Sequence, residues 1–366
     1  MAAPSMVGEP ARAEQTGAQT LPILRDLWFE VKKLGIHCLR AGIRGHPVLL
    51  LHGGGLDAAG LSFRKTIPVL AQQHRVFAPD WPGFGLSDAM PITWRVEECV
   101  DFVGAILDAL GLQRASLVGI SMGGAFVLGF ALRAPERIGR LVLVDSAGLG
   151  DEIPGGLLSY FTMRLPLLDE LRWALLVGNR TLARKMLCAP LANRKHVLTE
   201  EILDEIIALA RRAGSGAAFR QLQRSEYQWR GLRTNYLHRL SEIKVPTLLV
   251  HGAEDRVVPV SWAERAHSLI KNSKIEIIRR CGHLPPVEQP EQFNRIIRGF
   301  LLGQCASPDS RARFSWPSLG PGVHQVFQQC SQLAVNPGNP RKLDLHSGSV
   351  SGSASGRAGK ISEATP

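Results

Sequence analysis

Apolar residues along this chain fall into two alternating kinds of run. Short, nearly continuous stretches recur: "HPVLLLHGGG" (46–55), "HRVFAPD" (74–80), "ASLVGIS" (115–121), "RLVLVDSAG" (140–148), "PTLLVHGAED" (246–255) and "KIEIIRRCGH" (274–283). Each stops at Gly, Pro, Asp or Ser, so each predicts a buried strand running into a loop. "LWFEVKK" (27–33) and "IHCLRAG" (36–42) predict a hairpin ahead of them. Between the strands, residues 96–110, 123–133, 262–270 and 291–301 predict helices. Strands that are apolar on both faces, alternating with helices, predict an α/β fold whose mostly parallel sheet is covered on both sides.

The alternation breaks from about Gly150 to His238. "LLSYFTMRLPLLDELRWALLVG", "EEILDEIIALARRAG" and "AFRQLQRSEYQWRGL" predict helices and no strand. This is a helical insertion, 150–238, between two pieces of a core, 24–149 and 239–303. Residues 1–23 are small and polar, and 304–366 are rich in Ser, Gly and Pro. Neither buries enough apolar surface to offset its conformational entropy, so both are expected to be poorly ordered. Residues 323–335 within the second could form a marginal helix.

Composition narrows the class. With 366 residues, 45% hydrophobic and 20% charged, the chain can bury a sizeable core as one large domain or two. The net charge of +11 could serve a nucleic-acid or membrane partner. The Lys and Arg are scattered, however, and no zinc-finger or aromatic-basic signature occurs, so a generally basic surface is expected and no nucleic acid. The six cysteines lie far apart with no C-x-x-C pair, which reads as reduced thiols in a cytoplasmic protein. The N-terminus lacks an apolar signal-peptide core, and no run of about 18 apolar residues predicts a membrane span. No metal or cofactor is expected, because the histidines show no H-E-x-x-H and the cysteines no cluster. Oligomeric state has no signature.

The chemistry sits in "LVGISMGGAFVLG" (117–129). A serine hydroxyl needs a base beside it and an exposed position where a carbonyl can approach. A sharp strand-to-helix turn supplies the exposure but crowds the positions two before and two after the serine. Gly119 and Gly123 occupy those positions around Ser121. An acid and a histidine should follow later strands. Asp255 follows "TLLVHGAED" and His283 follows "KIEIIRRCG". Asp145, at the end of "RLVLVD", competes with Asp255 as the acid, and Glu254 is a weaker competitor. The amides of Gly54, in "HGGG", and of Met122 are the candidate oxyanion hole. His52 is expected to support the glycine loop, and His251 to pack. Asp80 and Asp88 are expected to frame a Pro/Gly turn.

"HGGG" (52–55), "PDWPGFGLSD" (79–88), "GISMG" (119–123), "GAEDRVVP" (252–259) and "GHLPPVEQP" (282–290), in that order, resemble the α/β-hydrolase family over residues 24–303. The resemblance implies an eight-stranded, mostly parallel sheet with a helical cap after the sixth strand. It also implies a Ser121–His283–Asp255 triad. The substrate expected is a small or medium apolar carboxylic ester, cleaved by acyl transfer, with cap residues such as Phe161, Met163, Leu167, Leu168, Leu171, Trp173 and Leu176 available to line the pocket. The alternative is a hydrolase that cleaves a carbon–carbon bond in a ring-fission diketone, which "HGGG" and the cap position also resemble. There the chain departs from the pattern: Leu284 follows the histidine where comparable members carry tryptophan. A slow-turnover ligand receptor on the same fold is a third reading. A serine nucleophile disfavours epoxide or haloalkane hydrolysis.

Overall fold

The computed structural model describes residues 23–91, 94–153, 155–191, 197–212 and 216–303. They belong to the first of two compact units, Met1–Val335; the second, Asn336–Pro366, lies outside the described residues. So do 1–22 and 304–366, including the marginal helix expected at 323–335.

Eight strands form one sheet: β1 (Arg25–Val31), β2 (Leu34–Ala41), β3 (Pro47–Leu51), β4 (Arg75–Pro79), β5 (Ala115–Ile120), β6 (Ile138–Val144), β9 (Thr247–Gly252) and β10 (Ser273–Ile278). Their order is β1-β2-β4-β3-β5-β6-β9-β10. β2 runs antiparallel to both neighbours, and every other pairing is parallel. All side chains of β3, β5 and β9 are buried. That is why their sequences run apolar without alternation: helices cover both faces. Leu49, Leu51, Leu117 and Leu143 face one core with helices Val96–Ala109 and Met122–Arg133. Val48, Leu50, Val118 and Val250 face the other, with Phe63 and with Phe293 of helix Pro290–Leu301.

Between β6 and β9 the described chain is mainly helical: Gly156–Met163, Pro166–Gly178, Arg180–Cys188, Glu200–Ala210 and Ala217–Glu226. The helix expected over 218–232 ends at Glu226. Tyr227–Gln228 (β7) and Gly231–Leu232 (β8) then form a small antiparallel ribbon. Gly231 has φ +137°, and a Cβ there would meet the Asp151 carbonyl at 2.4 Å, so the chain turns back against the first residues of the insertion. Among the described residues no helix is long and apolar enough to cross a membrane, and Cys38, Cys99, Cys188 and Cys281 are free thiols.

The parallel strands all end on one edge, where loops meet at the switch point of the sheet order. There Ser121 joins β5 to helix Met122–Arg133 at φ 50°, ψ −115°. A Cβ on Gly119 would lie 2.5 Å from the Gly123 carbonyl oxygen, and one on Gly123 would lie 2.5 Å from the carbonyl oxygens of both Leu51 and His52. The obstacles are backbone, so they cannot move aside cheaply. Gly123→Ala is therefore expected to cost about 2 kcal/mol or more by overpacking, lowering the melting temperature by roughly 5 °C or more. A melt indistinguishable from wild type would contradict this packing.

Candidate active site

Three loop ends converge on Ser121. His283, after β10, places Nε2 2.9 Å from Ser121 Oγ. Its Nδ1 lies 2.8 Å from Asp255 Oδ2, in the loop after β9. The carboxylate can only accept, so Nδ1 carries the proton and Nε2 is left to receive the serine's. Asp255 Oδ1 accepts the amides of Val257 at 2.7 Å and Val258 at 3.1 Å, which fixes the carboxylate from its other side. Burial alone would push the Asp255 carboxyl up, but the two imidazoles beside it and these amides hold it well below the usual range. Burial likewise pulls the His283 imidazole down, and the Asp255 hydrogen bond and charge outweigh it, so the net shift is upward.

The structure therefore brings Asp255, and not Asp145, to His283. Asp145 is fully buried at the end of β6, with φ +42°. Its Oδ1 accepts the Gly252 amide at 2.8 Å, and Oδ2 has no hydrogen-bond partner among the described residues. Burial pushes its carboxyl up to about 7. Glu254 is exposed and points no atom into this chain of contacts that the described residues show.

The glycine loop after β3 is held from both sides. His52 Nδ1 donates to the Gly53 carbonyl at 2.8 Å, and its Nε2 accepts the Trp81 amide at 3.0 Å. Both ring nitrogens are thus committed, and the tautomer is set by these partners. Asp57 Oδ2 accepts the Gly53 amide at 2.8 Å and the Ser62 hydroxyl at 2.7 Å. Gly54, next in the chain, lines the cavity beside Ser121. A Cβ on Gly54 would collide with the Phe219 ring at 2.2 Å, so the insertion packs directly onto this loop. Met122 is the first residue of its helix, where backbone N–H groups have no intrahelical acceptor.

The turn read at 79–88 is a hub. Asp80 accepts from His37 at 2.8 Å, from the Ala59 amide at 2.8 Å and from the Leu86 amide at 2.9 Å. Asp88 accepts the Gly35 amide at 2.6 Å. Two supports went unread in the sequence. Asp57 lies four residues after Gly53, a spacing that a search for acids near the glycine loop would have found. Glu288, inside "GHLPPVEQP", accepts the Gly282 amide at 3.0 Å and the Leu284 amide at 3.1 Å, bracketing His283.

Ser121 and His283 open into a cavity of about 890 Å³. Its walls include Met186, Leu191, Leu198, Ile202 and Ile206 from the insertion, and Leu284 and Val287 from the core. This differs from the expected lining. Phe161, Leu168 and Leu171 are exposed, Leu176 is buried among other insertion residues, and Trp173 borders a different hollow with Arg211 and Arg212. The side chains of Met163 and Leu167 lie outside the described set. Helix 200–210, not the segment 156–178, stands over the serine. Asp145, His251 and Asp255 bring potential ligand atoms within 4.8 Å of one another, but His283 and the Val258 carbonyl already engage Asp255 and His251.

Comparison with known proteins places this geometry. The chain matches the alpha/beta hydrolase fold family over residues 46–290. It is 34% identical over 274 residues to a 2-hydroxy-6-oxononadienedioate/2-hydroxy-6-oxononatrienedioate hydrolase of Burkholderia vietnamiensis, covering 74% of this chain and 91% of that one. It is 32% identical over 263 residues to a 2-hydroxy-6-oxo-2,4-heptadienoate hydrolase of Pseudomonas putida, covering 71% and 90%. A solved meta-cleavage product hydrolase of Pseudomonas fluorescens superposes with a TM-score of 0.63 at 27% identity, covering 76% of this chain and 97% of that one.

These relatives correct the expected substrate. A 2-hydroxy-6-oxo-dienoate contains no ester, so its hydrolysis has to break the bond beside the ketone. The carboxylic-ester reading gives way to the carbon–carbon alternative. The ester expectation rested on apolar residues that suit either substrate, and on Leu284 standing where tryptophan was expected in the carbon–carbon subgroup.

A neutral His283 is the form able to take a proton from Ser121. Labelling of Ser121 by a fluorophosphonate should therefore rise with pH through a midpoint above the ordinary imidazole value of about 6.5. A midpoint below that value would contradict the upward shift. Over two thirds of its length, through its sheet, its Ser121 turn and its sequence relatives, this chain belongs to the α/β-hydrolase fold family.

Proposed function

We propose that this hydrolase cleaves the carbon–carbon bond beside the ketone of a 2-hydroxy-6-oxo-dienoate, with Ser121, His283 and Asp255 as its catalytic residues. The observation that carries the reading is the continuous chain from Ser121 Oγ through His283 to Asp255, opening into an apolar cavity. The activities for which the relatives are named support the substrate class.

The substrate's own chemistry dictates what the site must do. Moving the 2-hydroxyl proton to the carbon next to the 6-ketone gives a 2,6-diketone. Ser121 Oγ adds to the ketone carbon as His283 Nε2 takes its proton. The negative charge on the former ketone oxygen is met by the amides of Gly54 and Met122. Collapse breaks the carbon–carbon bond. Its electron pair enters the conjugated 2-keto acid as a dienolate, which a carbon leaving group needs for stability, and the proton on His283 neutralises it. Water, deprotonated by His283, then releases the acyl group from Ser121 as a carboxylic acid. Asp255 holds the imidazole in the required tautomer throughout. Lys65 brings a cation into the cavity wall, where a dienoate carboxylate would find it; Arg64, also in the wall, is paired with Glu205 at 2.5 Å.

Turnover can be followed by loss of the dienoate's conjugated absorbance. Wild type should consume a 2-hydroxy-6-oxo-dienoate with a higher kcat/KM than p-nitrophenyl acetate. Ser121→Ala should lose on the order of 10⁴-fold or more in kcat. Turnover of the ester alone, or an Ala variant as active as wild type, would overturn the proposal.

Ile206→Trp should fill part of the cavity opposite Ser121. It is expected to raise KM for a 6-phenyl dienoate at least tenfold more than for the 6-methyl compound, by steric exclusion. Equal losses on both would show that Ile206 does not border the group on the ketone.

A further inference from the structure

A second histidine stands behind the triad. His251, the fifth residue of β9, is buried, and its Nε2 lies 3.0 Å from the Val258 carbonyl oxygen. A carbonyl only accepts, so Nε2 carries a proton. The same Nε2 is 3.4 Å from Asp255 Oδ2, the oxygen that holds His283, and 3.5 Å from Asp145 Oδ1. One carboxylate oxygen thus faces two imidazoles, and a second buried carboxylate approaches the same nitrogen of the inner one.

We propose that His251 is a positioning residue for the triad: it shares Asp255 with His283, with Asp145 as its counter-charge, and so divides the field of that carboxylate between two imidazoles. This rests on the catalytic reading of Ser121, His283 and Asp255. The geometry gives the Val258 carbonyl a purpose beyond the turn. By accepting the N–H of His251 it fixes Nε2 beside both acids, and the adjoining Val258 amide pins the opposite oxygen of Asp255. Asp145, whose Oδ1 accepts the Gly252 amide, turns that same oxygen toward His251 Nε2. Its charge or proton is shared with the neighbouring imidazole. A polar network of this kind acts as a unit.

The sign of the effect follows from charge. The groups facing His251 are Asp145 at the end of β6, Asp255 in the loop after β9, and the His283 and Cys281 side chains in the loop after β10. The Cys281 thiol is pushed up by burial and stays neutral. A proton shared by His251 and Asp145 lowers the local negative charge at Asp255 and makes His283 less basic. Burial opposes charging His251, yet the Asp255 contact and the Asp145 charge leave its net shift upward. Without His251, His283 feels the full field of its carboxylate, takes up a proton at higher pH, and is a weaker base at neutrality.

The test is the pH profile of fluorophosphonate labelling at Ser121, which needs no knowledge of the natural substrate. His251→Gln keeps an N–H for the Val258 carbonyl and removes the titrating ring. Normalised to its own plateau, its profile should move to higher pH by about half a unit or more, so that labelling near pH 6 falls roughly threefold or further. A profile that stays in place overturns the proposal, whether or not the melting temperature changes, because packing alone would not move it. Should the Gln variant fail to fold, wild-type protein with ¹⁵N-labelled histidine gives the same decision. The His251 titration should shift when Ser121 is phosphonylated and the charge on His283 changes; a His251 signal indifferent to the adduct overturns it. No labelling at Ser121 in the wild type is a separate outcome: it removes the triad and this inference with it, whereas labelling with an unmoved profile removes only the inference.

Discussion

Everything at the candidate site depends on how closely helix Met122–Arg133 crosses the ends of β3 and β5. The crossing is backbone against backbone: Gly123 lies where any Cβ would strike the Leu51 and His52 carbonyl oxygens, and Gly119 lies where one would strike Gly123. This closeness forces Ser121 into a conformation with positive φ and lifts its hydroxyl out of the sheet edge. It also positions the amides proposed as oxyanion donors, because Met122 begins the helix and the glycine loop follows the strand the helix touches. A looser crossing would leave room for ordinary side chains and would place the serine, the amides and His283 out of register.

The loops around that crossing are each anchored by a carboxylate that no reacting group touches. Asp57 holds Gly53, Asp80 gathers His37 and the Ala59 and Leu86 amides, and Glu288 brackets His283. Each anchor accepts backbone N–H groups that would otherwise be buried without partners, at a cost comparable to a lost hydrogen bond. The pattern is consistent: apolar strands supply rigidity, and a buried acid converts the strand's last residues into a shaped loop. The aspartate beside His283 follows it too. Asp255 uses one oxygen for two amides and leaves the other for histidine.

The insertion does a different kind of work. Its helix 200–210 and residues 186–191 and 197–198 supply apolar walls over Ser121, while Phe219 packs against the glycine loop. Apolar walls lower the local dielectric around Ser121, His283 and Asp255, which strengthens the electrostatic interactions among them. The outward helices 156–163 and 166–178 carry Leu158, Phe161 and Leu171 into solvent, and among their described side chains none joins that wall.

The sheet, its strand-to-helix alternation and the positions of Ser121, Asp255 and His283 were legible in the sequence because each is a local pattern. A buried strand is a continuous apolar run, and a crowded turn demands glycine at fixed offsets. What could not be read were the relations between distant segments. Asp145 and Asp255 follow neighbouring strands, and the order of the motifs favoured Asp255; the Val257 and Val258 amides that fix its carboxylate toward His283 appear only on folding. His251 reads as one more buried residue until folding sets it between both acids. The helices of the insertion all carry apolar residues, so the sequence determined that faces of them pack; which of them packs over the serine was decided by tertiary contacts, because an apolar face does not specify its partner.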